Sequence, residues 1–102
     1  MTIVDPSKFE PSYLFNMIGE HNRLKVIRCL MEREHTVGEI RLKTKMEKTL
    51  LSKHLKVLKT AGLVYASRSG RNVYYQMNPR VLKPGQERSL FLQCCEIKLR
   101  PE

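Results

Sequence analysis

Acidic side chains are scarce in this chain. Only 10 Asp+Glu stand against 19 Lys+Arg, a formal net charge of +9 and a pI near 9.8. So basic a balance points to nucleic acid as a partner, with a merely solvated positive surface as the alternative. Long apolar runs are also missing. No stretch approaches the roughly 18 residues that a membrane span requires, so no membrane partner is expected. The opening Met-Thr-Ile-Val-Asp-Pro has no basic region followed by an apolar run, as a signal peptide would. Cysteine is limited to Cys29, Cys94 and Cys95, an odd count that fits a reducing, cytoplasmic setting better than a disulfide framework. Catalytic constellations are absent too. There is no Ser/His/Asp arrangement, no glycine-rich phosphate loop, no paired carboxylates in a plausible cleft and no metal-ligand spacing. The sequence therefore predicts neither an enzyme nor a cofactor or metal site.

What is present is one domain's worth of patterned chain. With 102 residues, 41% hydrophobic and 28% charged, the composition is that of a globular domain with a modest core, for which dimerisation would bury more apolar surface. Residues 1–10 read as an arm. Tyr13, Leu14, Met17 and Ile18 follow helical spacing over about Pro11 to Ile18, with Gly19 as the stop. A second helix is predicted over 21–33, its core stripe being Leu24, Ile27, Leu30 and Met31, with Glu20 at its start. Thr36 followed three residues later by Glu39 is a capping box opening a short helix over 36–43, with Val37 and Ile40 inward. After the tight connection Lys45-Met46-Glu47, a longer helix over 47–61 carries Leu51, Leu55 and Leu58 on one stripe and ends at Gly62. A short helix, a tight turn and a second helix with a glycine stop make a helix-turn-helix pattern. Two runs rich in β-branched and aromatic residues follow, 63–68 and 72–77, around Gly70. They read as a hairpin, which in this position is a wing.

Beyond Asn78-Pro79 and Lys83-Pro84-Gly85, the segment 89–99 reads as one further strand, with Phe91, Gln93, Cys95, Ile97 and Leu99 sharing a face. The expected fold is thus mainly α with small β (α+β), a winged helix-turn-helix. It divides into the arm 1–10, a DNA-binding domain 11–78 and an extension 79–102 whose strand offers a dimer contact.

The reading surface follows from a helical wheel. Opposite Leu51, Leu55 and Leu58 lie Thr49, Ser52, Lys53, Lys56 and Thr60. Hydroxyls interleaved with lysines suit a major groove, and the first turns of such a helix reach base edges. Lys48, Thr49, Ser52 and Lys53 are therefore the candidate readers, with Lys56 nearer the backbone. Arg68, Arg71 and Asn72 flank the hairpin tip, placed for phosphates or a minor groove. A lone helix with such a face would more simply be solvated. The adjoining turn and wing favour DNA, because they explain why the face is exposed and flanked by more cation. His54, beside Leu50 and Val57, reads as a partly buried packing histidine rather than a reader or ligand.

The run Leu14 to Met77 resembles the ArsR/SmtB family of winged-helix repressors, through Asn22-Arg23-Leu24-Lys25-Val26-Ile27, Thr36-Val37-Gly38-Glu39-Ile40, Leu51-Ser52-Lys53-His54-Leu55-Lys56-Val57-Leu58, Ala61-Gly62-Leu63-Val64 and Gly70-Arg71-Asn72-Val73-Tyr74-Tyr75. The resemblance implies a homodimer on a palindromic operator of double-stranded DNA, released by an inducer, whether small-molecule or redox. Departures are specific. Glu47 stands where the family usually has Ser or Thr before the recognition helix. Thr36 and Gly38 stand where family metal sensors often carry cysteines, and the 89–99 segment replaces the family's C-terminal helix. Some relatives sense oxidant or persulfide through a cysteine in the second helix and one near the C-terminus. Cys29 with Cys94 or Cys95 could copy this, although Cys29 lies off the predicted apolar stripe. The other reading is that all three are small buried hydrophobes. A different class also competes with DNA binding: a winged-helix module for protein contact, or an accessory subunit of a nucleic-acid complex.

Overall fold

The computed structural model describes residues 3–82, 89–92 and 95–100. After a 3-10 turn over Pro6–Lys8 come four α-helices: α1 (Pro11–Ile18), α2 (His21–Glu32), α3 (Val37–Thr44) and α4 (Lys48–Thr60); a second 3-10 turn, capped by Asn78, spans Pro79–Val81. The two-residue β1 (His35–Thr36) lies between α2 and α3. After α4 come β2 (Val64–Ser69), β3 (Asn72–Met77), β4 (Ser89–Leu92) and β5 (Cys95–Lys98). One antiparallel sheet has the order β1-β3-β2, and β4 pairs with β5 in a second. This is the expected winged helix-turn-helix.

Local chemistry sets most of the boundaries. Pro11 opens α1 at its first turn, where a missing N–H costs nothing. Glu20 caps α2 by accepting from the Arg23 amide at 2.9 Å. Thr36 and Glu39 form the predicted capping box, with Thr36 Oγ1 accepting from Glu39 N and Glu39 Oε1 accepting from Thr36 N. At the end of α4 the Leu63 amide donates to Leu58 O and the Gly62 amide to Lys59 O. That is the Schellman arrangement, and it requires the left-handed φ of +78° that Gly62 adopts.

The core is a single cluster. Leu14, Val26, Ile27, Leu30, Ile40, Leu51, Leu55, Leu58, Leu63 and Val64 are buried at its centre. Here the predicted α2 stripe needs correction. Val26, Ile27, Cys29 and Leu30 are buried, while Leu24 and Met31 are half-buried at the margin. Helix α2 packs against α1, α3, α4 and β3 together, so its buried arc is wider than one stripe and rotated from it. Cys29, expected off that stripe, lies inside it.

The C-terminal segment also departs from expectation. Instead of one strand over 89–99, the chain forms the β4–β5 hairpin, with Leu90 opposite Ile97, Phe91 opposite Glu96 and Leu92 opposite Cys95. The predicted common face of Phe91, Gln93, Cys95, Ile97 and Leu99 is therefore split, since directly paired residues share a side. The physical reason is that a lone strand leaves a row of unpaired backbone groups, which a reversal of the chain satisfies locally. Leu90 and Leu92 fill the chain's own core. Gln93 and Cys94 lie outside the described residues, as does the Lys83-Pro84-Gly85 punctuation.

Candidate nucleic-acid interface

The candidate surface begins at the turn between α3 and α4. Lys45 closes α3 with a left-handed φ of 59°, its amide donating to Arg41 O at 2.7 Å, and buried Met46 pins the turn to the core. Glu47 then precedes α4 in an extended conformation and makes no side-chain cap. The first turn of α4 is left with uncapped amides and, except for Glu47, no negative charge.

Leu51, Leu55 and Leu58 face inward and are nearly inaccessible. That burial fixes the rotation of α4 and turns the opposite face outward. Lys48, Thr49, Ser52, Lys53 and Lys56 are all exposed, and α4 contains no acidic residue. Three exposed cations elsewhere are paired. Arg33 pairs with Glu39 at 3.3 Å, Lys43 with Glu32 at 3.0 Å and Arg80 with Asp5 at 2.9 Å. None of Lys48, Lys53, Lys56, Arg68 and Arg71 has an ion-pair partner among the described residues. Asp5, Glu32 and Glu39 are paired away from this face, and Glu47 is the one carboxylate beside the start of α4.

The wing follows directly from the α4 cap. β2 and β3 pair in register from Val64 with Met77 to Ser69 with Asn72, which leaves Gly70-Arg71 as a two-residue loop. Gly70 takes φ +61° and Arg71 does not adopt a positive φ, so the positive φ falls only on the first loop residue, the glycine position of a type II′ turn. Arg68, Arg71 and Asn72 are exposed there. Because alternate residues face opposite ways, Arg68 continues the face of Val64 and Ala66 past the edge of the core, whereas Asn72 lies on the other face. The site therefore comprises two clusters on successive elements, a helix face and a ribbon tip.

Three features support the site, and of these the sequence anticipates only the packing role of His54. His54 is buried on α4, with Nε2 3.6 Å from Glu20 Oε2 and Nδ1 3.5 Å from an Arg23 nitrogen. Burial holds its imidazole below the ordinary value, against the opposing pull of Glu20. Arg23 Nε also donates to Met17 O at 2.7 Å, so one cluster ties the ends of α1 and α2 to the middle of α4. Asn78, read from the sequence only as part of a strand breaker, is 1% exposed and donates to both Gly62 O at 2.8 Å and Val4 O at 3.1 Å. It fastens the N-terminal arm to the end of α4. β1 was unforeseen as well, because two residues show no period; it extends the sheet by pairing His35 with Tyr75 and Thr36 with Tyr74.

Cys29 is a buried free thiol. Burial, only partly offset by Lys43, pushes its pKa up to about 11, which makes it a poor thiolate and a small apolar packing group. Cys94 lies outside the described residues. Among the described residues no group of three His, Cys, Asp or Glu side chains is placed to hold a metal ion, and no helix is long and apolar enough to cross a membrane.

A short helix, a left-handed turn, a longer helix with an outward cationic face and a two-stranded ribbon define a winged helix-turn-helix protein, the class that presents its second helix to DNA. The chain belongs to the arsR family of bacterial regulatory proteins, whose model ("Bacterial regulatory protein, arsR family") matches residues 20–66, from the cap of α2 into β2. It is 31% identical over 70 residues to the transcriptional repressor SdpR of Bacillus subtilis, covering 69% of this chain and 78% of SdpR. The structure of reduced HlyU from Vibrio cholerae superposes with a TM-score of 0.63 at 27% identity, over 66% of this chain and 70% of that one. The homodimeric winged helix-turn-helix DNA-binding domain Mb0332 from Mycobacterium bovis gives a TM-score of 0.62 at 31% identity, over 66% of this chain and 62% of that one. The protein is accordingly a DNA-binding transcriptional regulator.

Proposed function

We propose that the protein is a homodimeric repressor that places α4 in the major groove of each half of a palindromic operator. Lys48, Thr49, Ser52 and Lys53 meet base edges, Lys56 meets the backbone, and Arg68, Arg71 and Asn72 lie on the flanking phosphates or in the minor groove. The observation that carries this reading is the cationic face of α4, which has no ion-pair partner among the described residues, while Asp5, Glu32 and Glu39 are paired elsewhere. Two copies related by a dyad would present two such helices, which matches a palindromic site. The homodimeric Mb0332 domain supports the dimer. Among the relatives, SdpR is named a repressor and HlyU an activator. Repression is favoured here because it needs only occupancy of the operator.

The test is selection of bound sequences from a random duplex library, followed by titration at several salt concentrations. Affinity should fall steeply with salt as lysine–phosphate pairing releases counterions. Lys56→Ala should weaken all duplexes alike and reduce the salt slope by about one, since one phosphate is no longer neutralised, whereas Lys53→Ala should relax the preference at one base by about 1–3 kcal/mol. No duplex affinity at low salt would refute the reading and favour a protein-contact module.

A further inference from the structure

We propose that the cavity between the N-terminal arm and the C-terminal hairpin is a binding site for a small monocarboxylate with an apolar chain. The cavity has a volume of about 440 Å³, within the range of small-ligand pockets. Leu14, Val81, Phe91 and Leu92 supply apolar wall, and Asp5 and Arg80 supply the charged part of the lining. These lining residues all lie outside residues 20–66 that carry the family match.

The polar lining selects the sign of the ligand. Asp5 is occupied: Oδ1 accepts from the Ser7 amide at 3.0 Å and the Ser7 hydroxyl at 2.8 Å, and Oδ2 meets Arg80. Those bonds to Ser7, with Arg80 beside it, hold the Asp5 carboxyl below its usual range, so it stays an anion that needs its cation. Arg80 is less engaged. Its guanidinium carries five N–H donors, meets the single carboxylate of Asp5 at 2.9 Å among the described residues, and is 64% exposed. A carboxylate on a ligand can take further donors in the two-pronged geometry that guanidinium favours, while the apolar chain covers Leu14 and Leu92.

The position of the site gives it a route to α4. The arm that carries Asp5 also carries Val4, whose carbonyl accepts from Asn78 Nδ2, and the same amide group donates to Gly62 O. The approach is close: a Cβ on Gly62 would stand 2.9 Å from Val4 O and 3.1 Å from Pro6 N. A ligand that engages Arg80 beside Asp5 therefore acts on a segment two hydrogen bonds from the C-terminal cap of α4.

Titration of the full chain with octanoate, followed by amide resonances, tests this without DNA and so independently of the operator reading. Octanoate should shift Asp5, Arg80, Val81 and Leu92, and with them Gly62 and Leu63. Octanol and octylamine should bind about tenfold more weakly or worse, because each lacks the charge-assisted bond. Arg80→Gln, at an exposed position, should erase the preference for octanoate over octanol, and Ser7→Trp should block both by filling the mouth. Equal binding of octanoate and octanol to the unaltered chain overturns the proposal. So does unchanged octanoate binding in Arg80→Gln, or the absence of any shift. A cavity covered by a second copy also overturns it: the same resonances would then move with protein concentration and not with octanoate.

Discussion

Asn78 offers the sharpest test of how α4 is held. Its side chain makes three hydrogen bonds at a site 1% exposed: it donates to Gly62 O and Val4 O and accepts from the Arg80 amide. Asn78→Ala removes all three and leaves two carbonyls without that donor. An unsatisfied buried group costs about 1–3 kcal/mol, and loss of a capping side chain adds about 1, giving a destabilisation of about 2–4 kcal/mol. Against a total of about 5–15 kcal/mol for a domain, that is a large share. It corresponds to a fall in Tm of about 10–25 °C at this size. Thermal and urea unfolding followed by circular dichroism would measure it. Asn78→Asp sharpens the test, since it keeps the shape and the bond from the Arg80 amide but turns an acceptor toward two carbonyl oxygens. The buried carboxyl is then held above its unfolded value, so the native state binds more protons and the variant loses stability as pH rises from acid to neutral. A cost below about 1 kcal/mol for the alanine variant, or an aspartate variant as stable as the original at neutral pH, would refute the claim that this amide ties the arm to α4.

Two more outcomes follow from the interface. Glu47→Ser should stabilise α4 by about 1 kcal/mol, because Glu47 provides no cap and serine is among the best caps. It should also raise duplex affinity by removing a negative charge at the start of α4, and an unchanged unfolding midpoint would sink the argument. For His54, burial, only partly countered by Glu20, lowers the folded pKa from 6.5. The unfolded chain therefore binds the proton more readily. Stability is full above pH 6.5 and declines as pH falls from there through the folded value. Substituting His54→Gln should flatten urea-measured stability over that window, and a slope that survives the substitution would assign it to another group.

The helix-turn-helix and its wing were legible in the sequence because their signals are local. Thr36 with Glu39 dictates a helix start wherever the segment sits, Gly62 can take the left-handed cap that few other residues accept, and the spacing of Leu51, Leu55 and Leu58 defines which face of α4 is buried. Once that face is buried, Thr49, Ser52, Lys53 and Lys56 must be exposed. The net charge and the lack of catalytic patterns narrowed the class further. What the sequence could not settle depended on neighbours distant along the chain. The rotation of α2 is decided by four elements packing on it at once, and that placed Cys29 in the core rather than beside it. The final segment has strand-like composition either way; only the need to pair its backbone makes it a hairpin instead of one long strand. The cation pairing that leaves α4 unneutralised joins residues far apart, Arg80 with Asp5 and Lys43 with Glu32. So does the Asn78 link across the 74 residues from Val4. Periodicity and capping are properties of neighbouring residues, whereas burial and charge compensation exist only once the chain has closed on itself.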